Sequence, residues 1–148
     1  MYKSILVPLD GSKLAENILP EVEELALLLN ARLNLIYVSK AHVFPGVDPT
    51  DAQVRVVSKA KEYLDNLKEQ LFAKKIDIEI HTPYGIPAVK IIEVSRRHDI
   101  DLIAMSTHGR SGIGRWLLGS VAEKIVRHSE IPVLLLRSHK IDVSSSDA

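Results

Sequence analysis

The sequence has 148 residues, 46% hydrophobic and 26% charged, which is the balance of a folded globular domain and excludes disordered and collagen-like chains. Nineteen basic and nineteen acidic side chains give a formal net charge of zero, so no overall field favours nucleic acid or an anionic membrane as a partner. Cysteine is absent, which excludes disulfides and thiol chemistry, and no apolar run approaches the roughly 20 residues of a membrane helix. Because Asp10 interrupts the first apolar run before it has the length of a secretory signal, we expect a cytoplasmic protein.

Five short apolar runs predict five β-strands, and segments with apolar residues three or four positions apart predict the helices between them. The runs span residues 4–9, 33–38, 76–80, 101–105 and 133–136. The helical stripes contain Leu14, Ile18, Val22, Leu25 and Leu29; Val54, Val57, Leu64, Leu67 and Leu71, with Lys61 as a polar break; Ala88, Ile91, Ile92 and Ser95; and Leu118, Val121, Ala122 and Ile125. Strands that alternate with helices predict right-handed crossovers and a parallel sheet covered by helices on both faces.

Two of the runs have the character of edge strands. The third carries Asp77 and Glu79 in strict alternation with isoleucine, as in a strand with one face in water, and the fifth follows Pro132, which cannot donate to a ladder. With these two runs outside, the fold class is α/β, with an open five-stranded parallel sheet of order 3-2-1-4-5. The order reverses between the first and fourth strands, and ligands of such sheets bind beyond the carboxyl ends of the strands at that point.

The length of the chain predicts a single domain, which we place over residues 1–138. A flexible C-terminal tail is expected over residues 139–148, where three serines follow one another. Residues 40–50 contain two prolines and a glycine and are too long for a plain connector, so they are a candidate lid.

Two loops follow the strands on either side of the reversal. The first spans residues 8–12, and the second spans residues 106–120, where four of the chain's seven glycines fall between positions 109 and 119. Glycine lets the backbone approach a ligand closely and turn N–H groups toward it, and the N-terminus of the following helix adds a favourable dipole for an anion. Across residues 106–128, four arginine and lysine side chains face one glutamate. The pattern predicts a phosphate-binding loop.

Each of these features also has a purely structural interpretation. Ser120 and Glu123 have the spacing of a capping box, in which case Ser120 only begins a helix. Ser12 would cap the first helix, with Gly11 in a turn, and Asp10 would either bind a polar group of a ligand or cap that turn. Binding is favoured because both glycine-bearing loops emerge at the same crevice.

Two common phosphate-binding motifs do not match the second loop. Residues 109–114 have the glycine spacing of a P-loop, but Arg115 and Trp116 replace its lysine and its hydroxyl residue. The dinucleotide-binding fingerprint fails because Leu117 occupies the position of its last glycine. No Gly-x-Ser-x-Gly motif occurs, and the six histidines form no i, i+4 ligand pair. His108, inside the glycine loop, is a candidate phosphate contact.

The run Ser106-Thr107-His108-Gly109, nine further residues and then Gly119-Ser120 is similar to the ATP-binding signature G-x-x-G-x(9)-G-[ST] of the universal stress protein family. Residues 2–12 are similar to that family's first strand and loop, and the resemblance extends from about Met1 to Arg137. Ser106 stands where the signature has its first glycine. By this resemblance, Ser106 would add a side chain where the ribose or the phosphates approach.

The resemblance implies a binding site for ATP with Mg²⁺. Adenine would lie near Asp10 and the backbone of Val38, and the ribose near Pro8 and Ser106. The phosphates would contact His108, Gly109, Arg110, Gly112, Ser120 and Val121. The complete set of expected nucleotide contacts is Pro8, Leu9, Asp10, Val38, Met105, Ser106, Thr107, His108, Gly109, Arg110, Gly112, Gly119, Ser120 and Val121. The signature describes binding, so it assigns no catalytic residue and no protein ligand to a metal.

The resemblance also implies a homodimer, and the fifth run indicates which surface would form it. Its four residues, Val133, Leu134, Leu135 and Leu136, are all apolar, yet the strand order places them at an edge. Unpaired backbone groups of an edge strand recruit other chains, and pairing around a two-fold axis would satisfy them. Alternatively, the C-terminal tail folds back over this edge.

The leading interpretation is an ATP-binding universal stress protein with a regulatory role in the stress response and little or no catalytic turnover. One alternative is an enzyme, either a slow ATPase or a nucleotide-transferring enzyme. Another is an interaction module that binds no nucleotide.

Overall fold

Strands and helices alternate along the chain in the computed structural model, which describes residues 1–40, 45–72, 75–107 and 118–137. The elements are β1 (Ser4–Pro8), α1 (Lys13–Glu16), α2 (Leu19–Leu29), β2 (Arg32–Ile36), α3 (Pro49–Phe72), β3 (Ile78–His81), α4 (Pro87–Arg97), β4 (Leu102–Ser106), α5 (Ser120–His128) and β5 (Val133–Leu136). The predicted β-α alternation is confirmed, with one extra break in the first helical segment.

The five strands form one sheet of order β3-β2-β1-β4-β5, and every pairing in it is parallel. The predicted fold class and strand order are therefore confirmed. All five residues of β4 are buried, as are the three middle residues of β1, because these apolar strands have helices on both sides. The edge strand β5 is only half-buried along its length.

Two apolar layers flank the sheet because successive strand residues point to opposite faces. On one face Ile5, Val7 and Leu33 pack with α2 and α3, where Leu64 is fully buried. On the other face Leu6, Ile36, Ile103 and Met105 pack with Ile91 of α4 and Ile125 of α5. Burying one such leucine or isoleucine side chain contributes about 1.5–3 kcal/mol, so these layers hold the sheet and both pairs of helices together.

The first helical segment is two helices, although one continuous stripe runs from Leu14 to Leu29. The helix α1 ends at Glu16, and α2 begins at Leu19 with Pro20 in its first turn. Proline has no N–H, so Pro20 cannot donate to the carbonyl of Glu16 as a continuous helix would require. The stripe predicted the buried face correctly, and the proline sets the break.

In the long helix α3, the polar residue that interrupts the predicted apolar stripe does not enter the core. Lys61 is exposed, and the preceding residue, Ala60, is buried in its place. This helix begins at Pro49, so the irregular segment expected over residues 40–50 is shorter than predicted. The lid prediction falls partly on residues 41–44, and the tail prediction on residues 139–148, and both stretches lie outside the described residues. The domain boundary at residue 138 stays a prediction.

Candidate functional site

A cleft of about 310 Å³ opens at the carboxyl ends of β1 and β4. It lies where the strand order reverses, so the chain leaves the two neighbouring strands toward opposite faces of the sheet. Its lining comes from the ends of β1, β2 and β4, from the residues that follow them, and from α1, α4 and α5. The lining residues are Pro8, Leu9, Asp10, Ala15, Ile36, Val38, Pro87, Ile91, Met105, Ser106, Gly119, Ser120, Val121 and Ala122. The volume is at the lower end of the roughly 300–1,000 Å³ typical of small-molecule sites.

The loop after β1 is held in shape by its own side chains. Asp10 Oδ1 accepts hydrogen bonds from the backbone N–H of Ser12, at 2.9 Å, and from the Ser12 hydroxyl. The Ser12 hydroxyl in turn accepts from the N–H of Ala15 and caps α1. Gly11 between them has a φ of 82°, a conformation that glycine adopts without strain. The structural interpretations of Ser12 and Asp10 are thus confirmed, and the same turn places Asp10 at the cleft.

A second anchor lies behind this loop, where α3 contacts α1. The Tyr63 hydroxyl of α3 donates a hydrogen bond of 2.5 Å to Glu16 Oε1 at the end of α1. Burial, and then the bond to Glu16, raise the pKa of Tyr63, and the negative charge of Asp10 adds to this effect. Tyr63 therefore remains a neutral donor that fixes the helix following the loop.

On the other side of the cleft the chain leaves β4 and returns to almost the same point. The N–H of Thr107 donates to the carbonyl of Leu136 on β5, at 3.0 Å, and the carbonyl of Thr107 accepts from the N–H of Gly119, at 2.9 Å. Both ends of the glycine-rich segment are therefore fixed to each other and to the sheet.

The helix α5 begins at the cleft with a glycine as its N-cap residue, which has no side chain to cap the helix. Its N-cap residue is Gly119, with φ −58° and ψ 152°, and Ser120 is the first residue inside the helix. Ser120 therefore does not form the predicted capping box, and Glu123 instead pairs with Arg127 at 2.9 Å. The first amide groups of a helix have no partner within it, and the N–H of Gly119 already donates to Thr107. This end therefore offers N–H donors to a ligand at Ser120, Val121 and Ala122, which line the cleft.

The cleft is apolar along its walls and polar at its margins. Leu9, Ile36 and Ile91 contribute buried aliphatic surface, together with the half-buried Val38. Asp10, Ser106 and Ser120 supply polar side chains. Of the lining residues that the structure describes, Asp10 alone is ionisable. This arrangement suits a flat apolar ring with a polar or anionic extension.

Most of the chain matches the sequence model of a known family. Residues 1–137 match the sequence model of the universal stress protein family. The chain belongs to the universal stress protein family. It is 32% identical over 147 residues to a universal stress protein of Methanocaldococcus jannaschii, covering 95% of this chain and 85% of that one.

Several solved structures have the same architecture. The protein MJ0577 superposes with a TM-score of 0.84 at 28% identity, covering 95% of this chain and 99% of that one. The universal stress protein UspA of Lactobacillus plantarum gives a TM-score of 0.79 at 26% identity, covering 92% and 98%. Two more distant structures, at TM-scores of 0.63 and 0.60, are a universal stress protein in complex with cAMP and one of Archaeoglobus fulgidus in complex with dAMP.

Most of the nucleotide contacts expected from the family resemblance come together in this universal stress protein. Nine of them line the cleft: Pro8, Leu9, Asp10, Val38, Met105, Ser106, Gly119, Ser120 and Val121. Thr107 lies beside the cleft and contributes its backbone to the closure of the loop. The remaining four, His108, Gly109, Arg110 and Gly112, lie outside the described residues, so their contacts stay predictions.

Five lining residues were missed by reasoning from the sequence: Ala15, Ile36, Pro87, Ile91 and Ala122. Pro87 and Ile91 belong to the first turns of α4, which begins beyond the carboxyl end of β3, at the same end of the sheet as the cleft. The strand order already implied that helices begin there, so the topology, rather than a motif, was the available signal. Over the described ranges, no helix has the length and apolarity needed to cross a membrane. The cytoplasmic location stays a prediction.

Proposed function

We propose that this universal stress protein binds ATP with Mg²⁺ in the cleft between β1 and β4 and acts as a nucleotide-dependent regulator of the stress response. The observation that carries the proposal is the position of the uncapped end of α5. Gly119, Ser120 and Val121 lie at one end of a mostly apolar cleft, and the loop after β1 lies across it. An apolar slot beside an anion-binding helix end is what an adenine nucleotide requires.

The adenine belongs at the apolar end of the cleft. Ile36, Ile91 and Met105 are buried there and offer aliphatic surface to a flat ring. The Asp10 carboxylate has two oxygens and room for several hydrogen bonds, so it can accept from a ligand while it holds Ser12. Val38 also lines the cleft, and its backbone would supply a further polar contact for the ring edge.

The phosphates belong at the N-terminus of α5 and under the glycine-rich segment. An anion at this position interacts with the helix dipole and with the open N–H groups of the first turn. The signature glycines Gly109 and Gly112 would let the backbone approach the phosphates, and Arg110 would supply positive charge. The contacts of these three residues remain part of the proposal.

The solved relatives support an adenine nucleotide as the ligand class. One universal stress protein of this fold was solved with cAMP and another with dAMP, and both ligands join adenine to a sugar and a phosphate. Their identities to this chain are 23% and 19%, so they support the fold's ability to hold such a ligand. The choice of ATP rests on the signature from Gly109 to Ser120.

Binding without rapid turnover is part of the same proposal. The described lining has one ionisable side chain, Asp10, which this proposal assigns to the adenine.

We also propose that β5 pairs with the same strand of a second copy. It is an edge strand, and its four apolar residues are only half-buried.

Calorimetric titration with ATP and Mg²⁺ tests the site. In Gly109→Val the side chain should keep the backbone from approaching the phosphates. Binding should weaken by about tenfold or more, because the loss of one charge-assisted hydrogen bond costs about 1.5–3 kcal/mol. Lys68→Ala, on α3 and away from the cleft, should bind as the wild type does. Unchanged affinity in Gly109→Val would show that the glycine-rich loop does not contact the phosphates. A wild-type protein that binds no adenine nucleotide would instead support the interaction-module alternative.

A further inference from the structure

Two histidines and a glutamate meet beside the edge strand β3. Glu79 and His81 are two positions apart on β3, so their side chains share one face of the sheet. His98 is the C-cap residue that directly follows α4. One potential ligand atom from each residue lies within 4.8 Å of the other two. The rings of His81 and His98 have their centroids 4.5 Å apart. The three residues are distinct from the described lining of the nucleotide cleft.

Asn34 on the neighbouring strand fixes the tautomer of His81. The Asn34 amide nitrogen donates to the Ser4 hydroxyl at 2.9 Å and to the carbonyl of Ile5 at 3.5 Å, which sets which way this buried amide points. Its oxygen is then 3.0 Å from His81 Nε2, so Nε2 must carry the proton and donate. That leaves the lone pair on Nδ1. A metal-binding histidine characteristically donates its second ring N–H to such an acceptor.

Glu79 can turn toward the histidines without leaving a charge unpaired. Its carboxylate is 3.6 Å from an Arg32 nitrogen, whereas Asp77 holds Arg32 Nε at 2.7 Å. Arg32 therefore keeps its closer partner if Glu79 moves away. Glu79 is half-exposed and His98 exposed, so both side chains have room to rotate and the site is open to solvent on one side.

We propose that Glu79, His81 and His98 bind one divalent transition-metal ion, for which zinc is the best match. Two imidazole nitrogens and one carboxylate oxygen form a common zinc ligand set, and water would complete the coordination. Zn–ligand distances of about 2.0–2.2 Å place the ligand atoms of a tetrahedral site about 3.4 Å apart. The three ligand atoms, now within 4.8 Å of one another, would move closer by a modest rotation of the exposed side chains. The C-terminal end of α4 adds a partial negative charge that favours the cation. The ion would join the edge strand to the end of α4.

The test is a titration of the full chain, freed of metal by a chelator, with Zn²⁺ in a calorimeter. The wild type should bind one equivalent at this site. His98→Gln and Glu79→Gln should each weaken binding by at least about tenfold, since even the partners behind a metal ligand are commonly worth 10–100-fold. His128→Gln is the matched control, because His128 is also an exposed histidine at the end of a helix. It should leave the affinity at this site unchanged.

Two independent readouts accompany the calorimetry. Co²⁺ bound by the wild type should show the visible absorption of a low-symmetry site, and excess Zn²⁺ should raise its melting temperature; both effects should be lost in His98→Gln. ATP titration of His98→Gln should match the wild type, which separates this site from the nucleotide cleft. Absence of Zn²⁺ binding by the wild type would overturn the proposal. So would equal affinity in the wild type, His98→Gln and Glu79→Gln.

Discussion

The N–H of Gly119 donates a hydrogen bond of 2.9 Å to the carbonyl of Thr107, so the glycine-rich segment begins and ends at one point beside β4. This bond holds the N-terminus of α5 against the end of the strand. Because both the loop and the helix end contribute to the proposed phosphate site, their relative position decides how well it is preorganised.

A pair of substitutions at Gly119 tests that role. The φ of −58° and ψ of 152° suit proline and alanine alike, so neither strains residue 119. Both add a Cβ, but only proline removes the N–H. Gly119→Pro should therefore bind ATP up to about tenfold more weakly than Gly119→Ala, which corresponds to the roughly 0.5–1.5 kcal/mol of one hydrogen bond. Calorimetry on both variants measures the difference, and equal affinities would show that the loop closure does not preorganise the site.

Ser106 is the one departure from the signature, and it is 6% exposed at the end of β4. Ser106→Gly should tighten ATP binding several-fold by removing a side chain from the approach of the ribose or phosphates. The same change should lower the free energy of unfolding by about 0.5–1 kcal/mol, because glycine is costly in a strand. Titration calorimetry and urea unfolding measure the two effects. Weaker binding in Ser106→Gly would mean that the serine itself contacts the nucleotide.

Tyr63 and Glu16 make a pH-dependent contribution to stability. The raised pKa of Tyr63 means that its stabilising effect is complete below about pH 10, the ordinary tyrosine value, and is lost as the pH rises toward the folded-state pKa. Tyr63→Phe should lower the free energy of unfolding at pH 7 by about 1–2 kcal/mol. It should also flatten the decline in stability above pH 10. Urea unfolding of both proteins from pH 7 to 11 tests this, and parallel pH profiles would contradict it.

The proposed dimer depends on Leu135 in the edge strand β5. Leu135→Lys should give a folded monomer by light scattering, whereas the wild type should be a dimer at micromolar concentration. Ile80→Lys, on the opposite edge strand β3, is the control and should remain dimeric. Removing residues 139–148 should leave the dimer intact. A monomeric wild type would rule the dimer out.

Hydrolysis of ATP should be far slower than the enzyme median of about 10 per second. Asp10 is the single ionisable residue in the described lining and is proposed to hold adenine rather than activate water. Single-turnover assays of the wild type and Asp10→Asn check this. Rapid phosphate release that disappears in Asp10→Asn would reassign Asp10 as a catalytic base.

The strand order was predictable because edge strands carry distinctive residues. The charged residues Asp77 and Glu79 predicted an edge position for β3, and Pro132, just before β5, predicted one for β5. Both strands lie at the edges of the sheet. The extra break in the first helical segment was also present in the sequence, at Pro20, but the apolar stripe masked it. A strong apolar periodicity predicts which face of a helical segment is buried. A proline within that segment predicts where one helix ends and the next begins.

The site was predictable where a motif named its residues and not where tertiary packing supplied them. The signature led to Ser106, Gly119 and Ser120. Pro87 and Ile91 line the same cleft only because α4 crosses the sheet to begin there. The cluster of His81 and His98 has no helical spacing at all, since one histidine comes from a strand and the other from the end of a helix.

The pairing of β1 with β4 has a consequence for the order in which the chain acquires its structure. The backbone N–H groups of Lys3 and Ser4 donate to the carboxylate of Asp101, so the first strand is completed by residues nearly a hundred positions later. During synthesis, β1, β2 and β3 emerge well before β4, and contacts between such distant residues form slowly. The cleft lies at this late junction. It therefore exists only when β1 and β4 are paired, and a nucleotide bound in it would stabilise the protein in that paired state.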